Sequence, residues 1–196
     1  MTVKIAVFAS GSGTNFQAIQ EAISRHELDA SIQVVVTDKP GAGVVKRAQA
    51  FHIPVVELLP KAFFSKDAYE RAIVSALEER DVEFIVLAGY MRLIGPVLLK
   101  KFEGRIVNIH PSLLPDFPGK DAIGQAFEAG VSVTGVTVHY VDAGMDTGPI
   151  IAQQEVEVIS GNRAATEARI HEVEHILYAS TLKQVFQTIQ KNELKG

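Results

Sequence analysis

An α/β fold, built on an open, doubly wound, mostly parallel sheet flanked by helices, is what this chain predicts, and three observations carry the expectation. Short apolar runs alternate with segments whose apolar residues recur at helical spacing, the βαβα order of a parallel sheet. Phe84-Ile85-Val86-Leu87-Ala88 is apolar at every position, as a strand covered on both faces must be. Val3 to Phe8 runs into Ser10-Gly11-Ser12-Gly13-Thr14-Asn15, a tight loop of small residues that opens a helix.

Taken in order, the helix after that loop carries Phe16, Ile19, Ala22 and Ile23 as its apolar stripe. Ile32 to Thr37 is a second strand, followed by the turn Asp38-Lys39-Pro40-Gly41 and a helix near Val44 to Ala50. Pro54 to Leu58 is a short third strand, and Ser65 to Glu79 a helix buried through Tyr69, Ile73, Ala76 and Leu77. The fully apolar strand passes through Gly89-Tyr90-Met91-Arg92 to a short helix over Pro96 to Phe102. Arg105-Ile106-Val107 then leads into Asn108-Ile109-His110, where alternation sets Asn108 and His110 on one face, and Pro111 ends the strand. A helix over Ala122 to Ala129 follows, then two strands, Val131 to Thr134 and Val136 to Tyr140. Val141 to Pro149 is a glycine-rich loop and Ile150 to Ile159 another strand. Glu167 to Ile189 is a long amphipathic helix, and the polar tail Lys191 to Gly196 is expected to fray.

The composition narrows the function. A hydrophobic share of 47% and a charged share of 21% are those of a globular protein with a full core, so one domain over 1–196 is expected. A net charge of −4 gives no pull towards nucleic acid or an anionic membrane. With no cysteine, disulfides, thiolate nucleophiles and Cys-ligated metals are excluded. The chain enters a strand at once, without the leader of a secreted protein, and no apolar run could span a bilayer, so the cytoplasm is the expected compartment.

Three constellations carry chemistry. Gly11-Ser12-Gly13-Thr14-Asn15 places unpaired backbone N–H groups and a helix dipole at one spot, an anion site. Phe16 stands where a dinucleotide loop needs its third small residue, which favours a single phosphate over a dinucleotide or a plain tight turn. Asn108 and His110 emerge together at a strand end, the edge where such sheets bind ligands. Asp146, in Gly144-Met145-Asp146-Thr147-Gly148-Pro149, is either turn chemistry or a carboxylate close enough to His110 to favour its imidazolium form. His171-Glu172-Val173-Glu174-His175 also matches the H-E-x-x-H zinc motif, but a third ligand is wanting apart from Glu193 in the tail, and a solvated helix face is the simpler reading.

Together Ser10 to Asn15, Leu87-Ala88-Gly89-Tyr90-Met91-Arg92, Asn108-Ile109-His110-Pro111-Ser112-Leu113-Leu114-Pro115, Met145-Asp146-Thr147-Gly148-Pro149 and Glu174-His175 resemble the glycinamide ribonucleotide formyltransferases. The Asn-x-His and SLLP segment is shared by the wider formyltransferase superfamily, and the glycine loop and short length narrow the likeness to this branch. The resemblance implies a Rossmann-like formyltransferase fold. Its nucleotide and phosphate half would be 1–104, and its catalytic and folate half 105–196. It also implies formyl transfer from 10-formyltetrahydrofolate to 5-phosphoribosylglycinamide in purine synthesis, by a monomer or homodimer without a metal.

By the same resemblance Asn108, His110 and Asp146 are catalytic, and Gly11, Ser12, Gly13, Thr14, Asn15 and Glu174 hold the ribonucleotide. Met91, Arg92, Leu93, Ile94, Val141, Asp142, Ala143, Gly144, Met145 and Asp146 would line the folate pocket with Asn108. Lys66 stands where some relatives place an Arg near the folate tail; it keeps the charge and loses the bidentate fork. Rival readings are a sister formyl-transfer or formyltetrahydrofolate hydrolase activity, a non-catalytic nucleotide module, and the zinc protease suggested by the His-Glu pentad.

Overall fold

The computed structural model describes residues 1–194. Seven strands form one sheet in the order β3-β2-β1-β4-β5-β6-β7. They are β1 Val3–Phe8, β2 Ala30–Thr37, β3 Val55–Glu57, β4 Phe84–Leu87, β5 Ile106–His110, β6 Val133–Tyr140 and β7 Ile150–Glu157. The first five pair in parallel, whereas β6 runs antiparallel to both β5 and β7. Among the described residues six α-helices flank it: α1 Thr14–Ser24, α2 Gly43–Ala50, α3 Lys66–Glu78, α4 Pro96–Lys101, α5 Ala122–Glu128 and α6 Arg163–Glu193, with a 3-10 turn at Pro60–Ala62.

Alternation along the central strands divides the core between the two faces of the sheet. Val7, Phe84, Val107 and Ile109 face one way and pack with Phe16, Val44, Tyr178, Leu182 and Phe186. Phe8, Ile85, Leu87 and Ile106 face the other way and pack with Tyr69, Ile73, Leu77 and Leu98. Burying each large apolar side chain contributes about 1.5–3 kcal/mol, so both layers of helix are needed to cover strands apolar on both faces. The doubly wound, mostly parallel reading of the sequence holds.

Two elements differ from expectation. The two strands read around Gly135 are one strand, β6, and the glycine is the reason they continue. A Cβ at Gly135 would lie 2.3 Å from the Gln154 carbonyl oxygen and 2.4 Å from Leu113, so this strand reaches its neighbours only without a side chain there. The last helix begins a turn earlier than Glu167, at Arg163, because the Asn162 side chain accepts from the Ala165 N–H at 3.0 Å. It continues to Glu193 rather than fraying from Lys191; Lys195 and Gly196 lie outside the described residues.

Tyr178 ties α6 to the sheet. Its fully buried hydroxyl donates to the Leu87 carbonyl at 2.6 Å and lies 3.3 Å from the Val107 carbonyl, bridging the end of β4 to the neighbouring β5. Burial pushes the phenol well above its ordinary range, so it remains a donor at every working pH. Tyr178→Phe should therefore lower stability by about 1–2 kcal/mol, the scale of leaving a buried acceptor unpaired. Urea denaturation reads the loss, and an unchanged midpoint would show that the bond contributes nothing.

Candidate active site

Strand order reverses between β1 and β4, so the loops leaving their carboxyl ends diverge to opposite sides, and a ligand cleft is expected there. A cavity of about 430 Å³ occupies this position and extends over the end of β5. Gly11 to Asn15 line it from one side, Met91 to Ile94 from another, and Asn108, His110, Val141, Gly144, Met145, Asp146 and Glu174 complete it.

His110 is 6% exposed at the last position of β5. Its Nε2–H donates to the Phe117 carbonyl at 2.9 Å, and Nδ1 lies 3.6 Å from Asp146 Oδ2. Both ring nitrogens thus face oxygen atoms of the protein. Asp146 is held in turn by the Gly119 N–H, which donates to Oδ2 at 2.8 Å, and by its place in a left-handed turn at φ 54°. The proximity of Asp146 to His110, left open by the sequence, is present in the structure.

His139 is the residue that sequence reasoning missed. It pairs with Asn108 across the β5–β6 ladder, is 2% exposed, and places Nε2 3.8 Å from Asp146 Oδ1. Its Nδ1–H donates to the Tyr140 carbonyl at 2.8 Å, and its Nε2 then accepts from Asn108 Nδ2 at 3.3 Å. The amide keeps a second N–H for a ligand. The signal in the sequence was the alternation of Val136 to Tyr140, but only the antiparallel register reveals what stands opposite Asn108.

The Thr137 hydroxyl makes two bonds to the segment after β5. Thr137 Oγ1 donates to the Ser112 carbonyl at 2.6 Å and accepts from the Leu114 N–H at 3.1 Å. Gln153 holds the same segment through the Leu114 carbonyl at 2.9 Å. The irregular chain after His110 is therefore tied to β6 and β7.

The glycine loop keeps its N–H groups free. Gly13, at φ 80°, is the N-cap of α1 with no side chain capping the first turn, and a Cβ there would meet Val44 at 2.7 Å. Arg47 Nε donates to the Ser12 carbonyl at 2.8 Å, adding a cation beside the loop. Asn15 Oδ1 is buried without a partner. Opposite, Glu174 is 5% exposed and accepts from His171 Nδ1 at 2.6 Å.

Three predicted folate contacts stand apart from the cavity wall. Lys66 is exposed at the start of α3, and Asp142 and Ala143 lie in the loop without lining the cleft. Asp142 instead accepts from Thr147 Oγ1 at 2.7 Å and the Gly144 N–H at 2.9 Å, which holds its carboxyl below the usual range and shapes the turn carrying Asp146. Among the described residues no group of three His, Cys, Asp or Glu side chains could hold a metal. His171 is engaged by Glu174, and His175 is half-buried with Nε2 unpartnered. Among the same residues no helix is long and apolar enough to cross a membrane.

An amide and an imidazole at a strand end, a carboxylate against the imidazole and an uncapped glycine loop thus share one cleft of this α/β fold. Residues 3–182 match the family model described as formyl transferase. The chain belongs to that family. It is 56% identical over 183 residues to a phosphoribosylglycinamide formyltransferase of Bacillus subtilis, covering 93% of this chain and 94% of that protein. A crystal structure of glycinamide ribonucleotide transformylase 1 from Geobacillus kaustophilus is similar at TM-score 0.92 and 57% identity, covering 94% and 99% of the two chains. The trifunctional purine biosynthetic protein adenosine-3 of Gallus gallus is 41% identical over 184 residues, and there the match spans 18% of its length.

The His171–Glu174 pair gives a pH prediction. The hydrogen bond His171 donates to Glu174, with that carboxylate's charge, raises the His171 imidazole above 6.5 against the opposing effect of burial. A raised folded-state value means the pair's stabilisation is complete below about pH 6.5 and is lost as pH rises through the folded midpoint. Because His171 is half exposed, that contribution is small. Glu174→Gln should lower the His171 midpoint seen by NMR; an unchanged midpoint would contradict the pairing.

Proposed function

We propose that this cleft passes the formyl group of 10-formyltetrahydrofolate to the primary amine of 5-phosphoribosylglycinamide, in the cytoplasm, as a step of purine synthesis. One observation carries the reading: Asn108, His110 and Asp146 meet in the same cavity as the uncapped glycine loop. The named relatives act on this acceptor.

The proposed chemistry follows from the geometry. The amine nitrogen attacks the formyl carbon and generates a tetrahedral oxyanion. The free Asn108 N–H and the His110 imidazolium would stabilise that charge, an effect that grows where water is excluded. The incoming amine loses a proton and the departing folate nitrogen gains one; His110 would give that proton from Nε2 on turning away from the Phe117 carbonyl, and the amine's proton would restore the ring. Asp146 holds the imidazolium from behind, and no metal or covalent enzyme intermediate is required.

Gly11, Ser12, Gly13, Thr14 and Asn15 would take the ribonucleotide phosphate on free N–H groups at the start of α1. The unpartnered Asn15 oxygen and the Glu174 carboxylate offer acceptors for the ribonucleotide's hydroxyl or amine donors. Met91, Leu93 and Met145 are exposed apolar side chains on the cleft wall and suit a flat, weakly polar ring. Ile94, Val141, Gly144 and Arg92 complete that wall. Lys66, Asp142 and Ala143 would then act from outside it, Lys66 on the charged folate tail and the other two through the loop.

Asn15→Ala should weaken the ribonucleotide about tenfold while folate affinity changes less than about twofold, because the side-chain oxygen it removes would meet a donor of the ribonucleotide alone. Calorimetric titration of each ligand reads this, and equal losses would make the loop a fold element instead. Asp146→Asn should lower kcat by roughly two or more orders of magnitude, the scale of losing oriented charge at a developing oxyanion. Combined with His110→Ala, the double variant should be little worse than the worse single one, since groups acting as a unit are non-additive. Losses that multiply would separate the two residues.

A further inference from the structure

Beneath the cleft a buried carboxylate joins the two loops that line it. Asp38 follows β2, and its side chain is 2% exposed. One oxygen, Oδ1, accepts from the Ser10 hydroxyl at 2.6 Å, at the start of the glycine loop. The other, Oδ2, accepts from Arg92 Nε at 2.9 Å, in the Met91–Ile94 loop. The Ser10 oxygen itself accepts from the Met91 N–H at 2.9 Å, and the Ser10 N–H donates to the Gly89 carbonyl at 3.0 Å. Arg92 is 46% exposed towards the cleft, while the acid that orients it is sealed away.

We infer that Asp38 is a positioning residue that couples the two ligand subsites, so that ordering one loop orders the other. The inference rests on assigning the glycine loop to the ribonucleotide and the Met91–Ile94 loop to the folate. A buried carboxylate is tolerated only while its partners stay in place, because losing one leaves an uncompensated charge out of water. Each arm of Asp38 reaches a different loop. If Arg92 swings away, the Ser10 arm must support the whole charge; if Ser10 moves, both the Asp38 oxygen and the Met91 N–H lose a partner. A ligand that fixes one loop therefore lowers the cost of fixing the other. By linkage the effect must be equal in both directions.

The test is a binding cycle with 5-phosphoribosylglycinamide and tetrahydrofolate, which carries no formyl group and so does not react. In the unaltered protein, saturating tetrahydrofolate should tighten the ribonucleotide about fivefold or more, and the reciprocal titration should return the same factor. Asp38→Asn keeps the shape but turns a donor towards Arg92, and Ser10→Ala removes the bridging hydroxyl. In each, the factor should fall below about twofold. A merely structural Asp38 would lower the thermal midpoint and leave the factor intact, which overturns the inference, as does an unaltered protein with no coupling. Should Asp38→Asn fail to fold, Ser10→Ala decides alone. Asn15→Ala separates the two levels. If it does not selectively weaken the ribonucleotide, the subsite assignment fails; if it does while coupling survives in Ser10→Ala, only the Asp38 inference fails.

Discussion

The site exists because strand order reverses between β1 and β4. In a parallel sheet every strand delivers its following loop to the same edge, and loops from adjacent strands usually cover each other. Here the chain leaves β1 towards one side and β4 towards the other, so the edge between them stays open. The glycine loop and the Met91–Ile94 loop flank that opening, and β5 places Asn108 and His110 beside it. What the sheet leaves uncovered is then refined by hydrogen bonds.

Those bonds are concentrated on buried polar groups that face only one or two partners. Glu70, 2% exposed on α3, accepts from the Gly95 N–H at 2.7 Å and the Leu98 N–H at 3.3 Å, holding the start of α4 just past the Met91–Ile94 loop. A carboxylate at a helix N-terminus also answers the dipole there. Thr137 performs a similar task for the chain after His110, and Tyr178 for the end of β4 and the neighbouring β5. Each satisfied group adds only about 0.5–1.5 kcal/mol net, yet each is costly to leave unpaired, so the position of a loop depends on whether its partners stay in place. With those partners in place the donors are aimed before the charge develops, as electrostatic stabilisation requires.

How much of this was legible depended on whether the deciding contact was local in sequence. The apolar periods revealed β1, β4, β5 and the helices, because burial on one or both faces writes itself into neighbouring residues. Asn108 and His110 were visible together at the end of a strand, where they now line the cleft, because strand alternation and Pro111 fix where they emerge. Gly135 was misread as a break, since nothing local distinguishes a glycine that ends a strand from one that admits a neighbour's backbone. His139 needed the antiparallel register, and Asp38 looked like an ordinary turn residue until Arg92 and Ser10 were brought to it. Asn162 caps α6 ahead of Ala165 rather than a glutamate, so no capping-box signature marked the start. Lys66, Asp142 and Ala143 came from resemblance alone, and the cleft wall passes them by.

The proposed reaction requires one cleft to hold a formyl donor and an amine acceptor together. Its most direct test is the absorbance change of the folate when the protein and 10-formyltetrahydrofolate are mixed with and without 5-phosphoribosylglycinamide. Tetrahydrofolate should form only when the ribonucleotide is present, with one formylated product for each folate released. Folate release at the same rate without the ribonucleotide would show that water is the acceptor and contradict the account.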